Sequence, residues 1–140
     1  MTDVRATMSE IPGVTIYKNS WFAKFARKER ISDAALCEAI DRATRGLIDA
    51  DLGSGLIKQR VAREGAGRSG GYRTLIFFRS GERSIFVFGF AKSGKANLDA
   101  DELAEFKKAA KELLEFSQEQ VDALVGIGRL LEVKRGKEDL

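Results

Sequence analysis

Residues 58 to 73 read KQRVAREGAGRSGGYR, in which five cations (Lys58, Arg60, Arg63, Arg68 and Arg73) and four glycines accompany a single acid, Glu64. From Lys58 to Lys95 the chain carries nine Lys or Arg against Glu64 and Glu82 alone, although the whole protein is only +3. Charge focused in this way attracts polyanions. In a strand with one face to water, Lys58 and Arg60 project together, their Cβ atoms about 7 Å apart. Arg63 and Arg68 sit in the following loop, Arg73 opens the next strand, and Lys92 and Lys95 follow the last one. Antiparallel neighbours would bring these groups to one surface. The plain alternative is a solvated basic face, but ordinary surfaces mix both signs.

The chemistry open to such a set is phosphate chemistry. Arginine offers planar forks to phosphate oxygens, while lysine is a compact charge that can lose its proton when crowded by other cations. RNA brings its own nucleophile, the 2′-hydroxyl. For that oxygen to attack the adjacent phosphate, a base must take its proton and cations must hold the crowded dianion. Tyr72 is a candidate extra proton donor or base-stacking platform, though a tyrosine beside a strand fits buried packing equally well.

Composition narrows the field. The chain has no histidine, which removes the commonest general base and a leading metal ligand. Neither a metal nor another cofactor is expected. Cys37 is alone, so no intrachain disulfide can form, and its place in ALCEAIDRA suits a core residue. No stretch approaches the length of an apolar membrane span, and the first residues, MTDVRATMSEIPG, lack an apolar signal core. A cytoplasmic protein with no membrane partner is the expectation.

The elements that must position the cations follow from periodicity. VTIY (14–17) predicts a short strand, SWFAKFARKE (20–29) a helix with Phe22, Phe25 and Ala26 on one side, and DAALCEAIDRATRGLI (33–48) a second helix. Leu36, Ile40, Ala43 and Leu47 form its stripe, and Ser32 or Asp33 can cap it. Gly53 and Gly55 mark a loop. LIKQRV (56–61) alternates, with Ile57, Gln59 and Val61 opposite Lys58 and Arg60. RTLIFF (73–78) and SIFVFGF (84–90), joined by the turn RSGER, are apolar on both faces and predict central strands covered on both sides. Asp99 with Glu102 forms a capping-box pattern, and Leu98 with Leu103 a hydrophobic staple, ahead of a long helix. Ser117 with Gln120 opens another, over SQEQVDALVGIGRLLEV, which Gly126 and Gly128 weaken.

Two glycine motifs imitate nucleotide sites. GAGRSG (65–70) matches G-x-G-x-x-G, but a strand follows it where a dinucleotide site needs a helix. GFAKSGKA (89–96) misses a P-loop by one residue, since Ala96 lacks the hydroxyl that would hold magnesium.

The stretches GLIKQRVAREGAGRSGGYRTLIFF and SIFVFGFAKSGKANLDADELAEFKKAAKELL resemble the RelE/ParE superfamily of type II toxins, nearest its RelE/HigB-like branch. The resemblance spans about residues 14 to 114. It implies a small α+β fold in which a twisted, antiparallel (mixed) sheet packs against N-terminal helices. It also implies cleavage of mRNA in the ribosomal A site, and a cognate antitoxin, often one with a helix-turn-helix domain. Position by position, Lys58 and Arg60 match the family's basic strand pair, Arg73 its phosphate-stabilising arginine, and Lys92 the basic residue closing the last strand. Lys95 corresponds loosely. These four matches are the candidate catalytic set, with Arg63, Arg68, Tyr72 and Lys95 as candidate substrate contacts. Before the long helix the chain reads NLDA, without the tyrosine that the best-known members carry there. The expected division is a toxin domain over residues 1–116 and a helical tail over 117–140. A ParE-type gyrase inhibitor and a non-catalytic module that docks nucleic acid or antitoxin are the alternatives.

Overall fold

The computed structural model of the chain describes residues 15–63, 67–91 and 98–135, and of residues 67–70 the backbone alone. Six strands form one mixed sheet: β1 (Thr15–Asn19), β2 (Ala50–Gly53), β3 (Leu56–Arg63), β4 (Gly67–Arg79), β5 (Arg83–Ala91) and β6 (Leu130–Glu132). Their spatial order is β2-β3-β4-β5-β1-β6, with β1 parallel to β5 and every other pair antiparallel.

Helices α1 (Ser20–Glu29) and α2 (Asp33–Thr44) cover one face, and α3 (Ala100–Leu114) and α4 (Gln118–Gly126) the other. Both faces of the central strands are therefore buried, as their apolar runs predict. Phe22, Leu36, Ile40, Ile57, Val61, Ile76 and Phe86 make the first core. Leu56, Leu75, Phe77, Ile85, Leu114 and Val121 make the second. The helix starts follow sequence chemistry. Asn19 and Ser32 cap α1 and α2 through their side chains, and both predicted capping boxes form, Asp99 with Glu102 and Ser117 with Gln120.

Three elements depart from the periodicity reading. Gly53 and Gly55 do not end in a free loop; with Ser54 they turn the chain between β2 and β3, all three at positive φ. Helix α2 stops at Thr44, which leaves Leu47 outside the predicted stripe and exposed. The last predicted helix ends at Gly126, because Gly128 at φ 80° reverses the chain into β6. What sequence reading assigns to a helical tail thus contributes the sixth strand, paired with β1.

Gly89, the first glycine of the P-loop near miss, lies in β5 under α1. A Cβ there would come within 2.6 Å of the Phe25 ring and 3.1 Å of Phe22. That close approach is the local reason for glycine. The remainder of that motif from residue 92, and the first residues of GAGRSG, lie outside the described residues.

Candidate functional site

The register of β3, β4 and β5 sorts the side chains into rows. On the face turned to α3, Leu56 opposes Phe77 and Phe77 opposes Ile85; one step along, Lys58 opposes Leu75 and Leu75 opposes Phe88; at the next, Arg60 opposes Arg73 and Arg73 opposes Phe90. The face thus grades from apolar to cationic along the strands. Residues directly opposite place their Cβ atoms about 5 Å apart, so the Arg60 and Arg73 side chains leave the sheet as neighbours, with Lys58 one step back. Like charges in that arrangement repel.

The two arginines are held differently. Arg60 is exposed at 44% and reaches Asp49 through its guanidinium at 3.4 Å. Its backbone has no β2 partner, since the β2–β3 ladder stops at Lys58. Side chains replace the ladder there: the Arg60 N–H donates to Asp49 at 2.6 Å, and the buried Arg42 guanidinium donates to the Arg60 carbonyl. Arg42 also pairs with Glu38 at 3.0 Å and lies 3.9 Å from Asp49. Gln59, fully buried, accepts from the Asp49 N–H and donates to the carbonyls of Ala39 and Leu47. Arg73 has no such support. Its Nη1 is buried with no hydrogen-bond partner, and neither its side chain nor that of Lys58 pairs with an acid among the described residues. An unmatched buried donor costs about 1–3 kcal/mol.

The sheet divides the expected constellation. Tyr72 and Arg63 do not share the surface of Lys58, Arg60 and Arg73. Tyr72 opposes Val61, one residue out of phase with Arg60 and Arg73, and so points to the α1 side. Tyr72 is 2% exposed, and its hydroxyl donates to the Glu29 carboxylate at 2.9 Å. Burial and that bond push the phenol above its ordinary pKa. A residue so enclosed packs the core. Arg63 lies over the Tyr72 ring, 5.7 Å from its centroid. Lys92 and Lys95 lie outside the described residues, as does the Arg68 side chain.

The chain matches the family described as RelE toxin of RelE / RelB toxin-antitoxin system over residues 14–133. It belongs to the RelE toxin family. The match runs through α4 and β6, well past the end of the resemblance read from the motifs. Membership makes this RelE-family chain the toxin of a toxin–antitoxin pair and implies an antitoxin partner. No curated protein matches it closely enough to add a nearer relative. Among the described residues of the toxin no helix is long and apolar enough to cross a membrane, and no group of His, Cys, Asp or Glu could hold a metal ion.

Sequence reading misses Arg42 and Asp49. Charge counted from residue 58 onward overlooks an acid that enters from the loop before β2, and Arg42 reads as a polar position on α2. The available signal was Gln59, a polar residue on the apolar face of an alternating strand, which has to find partners once buried.

Proposed function

We propose that this toxin is a metal-independent endoribonuclease that cuts messenger RNA at the ribosome and so arrests translation. The observation that supports this most is the placement of Arg73 opposite Arg60 with Lys58 one step back, one Arg73 guanidinium nitrogen being buried without a hydrogen-bond partner and its side chain pairing with no acid among the described residues. In the proposed step the 2′-oxygen forms a bond to the adjacent phosphorus as the bond from phosphorus to the 5′-oxygen breaks. The 2′-proton goes to a base and a proton is delivered to the leaving oxygen. The products are a 2′,3′-cyclic phosphate and a 5′-hydroxyl. Guanidinium groups do not deprotonate in proteins, so of these three Lys58 is the group able to exchange a proton. Arg60 and Arg73 hold the charge that grows on the phosphorane.

Family membership by itself leaves the target open, because one fold serves several activities. The test is a translation extract programmed with a defined message. Wild-type protein should produce new RNA ends, and Arg73→Ala should lower the cleavage rate about 10²–10³-fold, the usual cost of one transition-state donor, with antitoxin binding retained. A message that stays intact at every dose removes the nuclease reading, and arrested gyrase supercoiling in the same preparation would replace it with gyrase inhibition.

A further inference from the structure

On the opposite side of the sheet from Arg60 and Arg73, a cavity of about 330 Å³ opens at the end of α1, lined by Lys28, Glu29, Arg30, Arg63 and Tyr72. We propose that it is a second anion site, one that binds the phosphate monoester of a nucleotide, either free or at the end of an RNA strand. It is separate from the cleavage reading above and does not depend on it.

The floor is preorganised. The Tyr72 ring is buried and fixed by Glu29, and Arg63 lies over that ring. Glu29 is therefore already engaged as an acceptor. The three cations are not: among the described residues none of Lys28, Arg30 and Arg63 forms an ion pair. The described lining residues carry a net charge of two positive, which matches the roughly −2 carried by a phosphate monoester at neutral pH. The volume exceeds what a bare ion needs and lies in the range of small-ligand pockets, about 300–1,000 Å³.

Arg30 supplies a second, independent indication. It caps α1 at φ 59°, ψ 45°, the left-handed conformation that helices ordinarily give to glycine. A side chain with a Cβ is strained there. The neighbouring Lys28 is explained by the helix dipole, which favours a cation in the last turn. An arginine in the glycine position is not, because a glycine would cap the helix with less strain. Its place in the lining of the cavity accounts for it.

The test uses full-length protein and an RNA oligonucleotide made uncleavable by 2′-O-methylation, in two forms, with a 5′-phosphate and with a 5′-hydroxyl. Fluorescence anisotropy should show the phosphorylated form binding roughly tenfold tighter at low salt, with a steeper salt dependence by about one unit of slope. Arg30→Gly and Arg63→Ala should each abolish that preference. Arg30→Gly should do so without lowering the melting temperature, which separates loss of a ligand contact from loss of fold. Adenosine 5′-monophosphate titrated alone distinguishes the source: shifts of the Arg30, Arg63 and Tyr72 amide resonances indicate a free-nucleotide site, and shifts with the phosphorylated strand only indicate a strand-end site. Equal binding of the two oligonucleotides together with no shift from the monophosphate overturns the proposal. So does a preference that survives both substitutions.

Discussion

Among the described residues, Arg60 and Arg73 differ by one carboxylate. Asp49 fixes Arg60 in place and offsets its charge, while the Arg73 side chain meets no acid among the described residues. Tyr72, on the other face, has a titration consequence that follows from its surroundings. Burial first, and the hydrogen bond to Glu29 second, raise its pKa above the usual 10.0. A group whose folded pKa is raised contributes stability that is fully present below the unfolded value and is lost as pH rises through the folded one. Tyr72→Phe removes both the bond and the titration. Urea denaturation should therefore find the variant about 1 kcal/mol less stable near pH 7, with the gap closing as pH climbs past the ordinary phenol range. A gap that stays constant to high pH would mean the phenol is no more protonated in the folded chain than in the unfolded one.

At the scale of elements, what could be read from the chain was what local chemistry dictates. Capping boxes at Asp99 and Ser117 fixed two helix starts, and the alternation in LIKQRV placed Lys58 and Arg60 together on one face. Pairing between distant segments could not be read this way. Strand β2 has four residues, β6 has three, and both gain their identity from a neighbour, β3 and β1 respectively. The same limit explains the misplacement of Tyr72 and Arg63. Side-chain direction in a hairpin depends on register, and β3 and β4 shift register between Val61 and Arg63. Packing of α1 on β5 gives a sharper test. Gly89 leaves room for the Phe25 and Phe22 rings, and Trp21 extends that cluster by stacking on Phe25 at 5.3 Å and on Phe88 at 4.8 Å. Gly89→Ala should push α1 outward and cost about 1–3 kcal/mol, the usual penalty of overpacking. The thermal midpoint should fall and the near-ultraviolet aromatic circular dichroism should weaken. An unchanged midpoint would show that the helix yields freely and that glycine is not required there.

Over the whole molecule, β1 is the strand on which both halves of the chain depend. It joins the sheet through β5 on one side and receives β6 on the other. Asp33, the first residue of α2, binds both Lys18 on β1 at 3.0 Å and the Lys134 N–H just after β6 at 2.8 Å. The Arg83 guanidinium donates to the carbonyls of Leu113 and Phe116, tying the end of α3 to the start of β5. From α4 onward the chain buries Val121, Leu130 and Val133 in the two cores. At about 1.5–3 kcal/mol for each buried aliphatic side chain, those three account for roughly 5–9 kcal/mol, a sum comparable to the entire stability of a domain of this size, about 5–15 kcal/mol. Removing residues 117–140 also strips β1 of a neighbour and uncovers an apolar sheet edge. Residues 117–135 are then part of the toxin fold and not an appendage. A chain ending at residue 116 should be insoluble or lack a cooperative thermal transition, whereas one ending at residue 135 should melt within a few degrees of the full-length protein. If the shorter chain melts cooperatively near the full-length midpoint, the last helix and strand are dispensable and the fold closes on five strands.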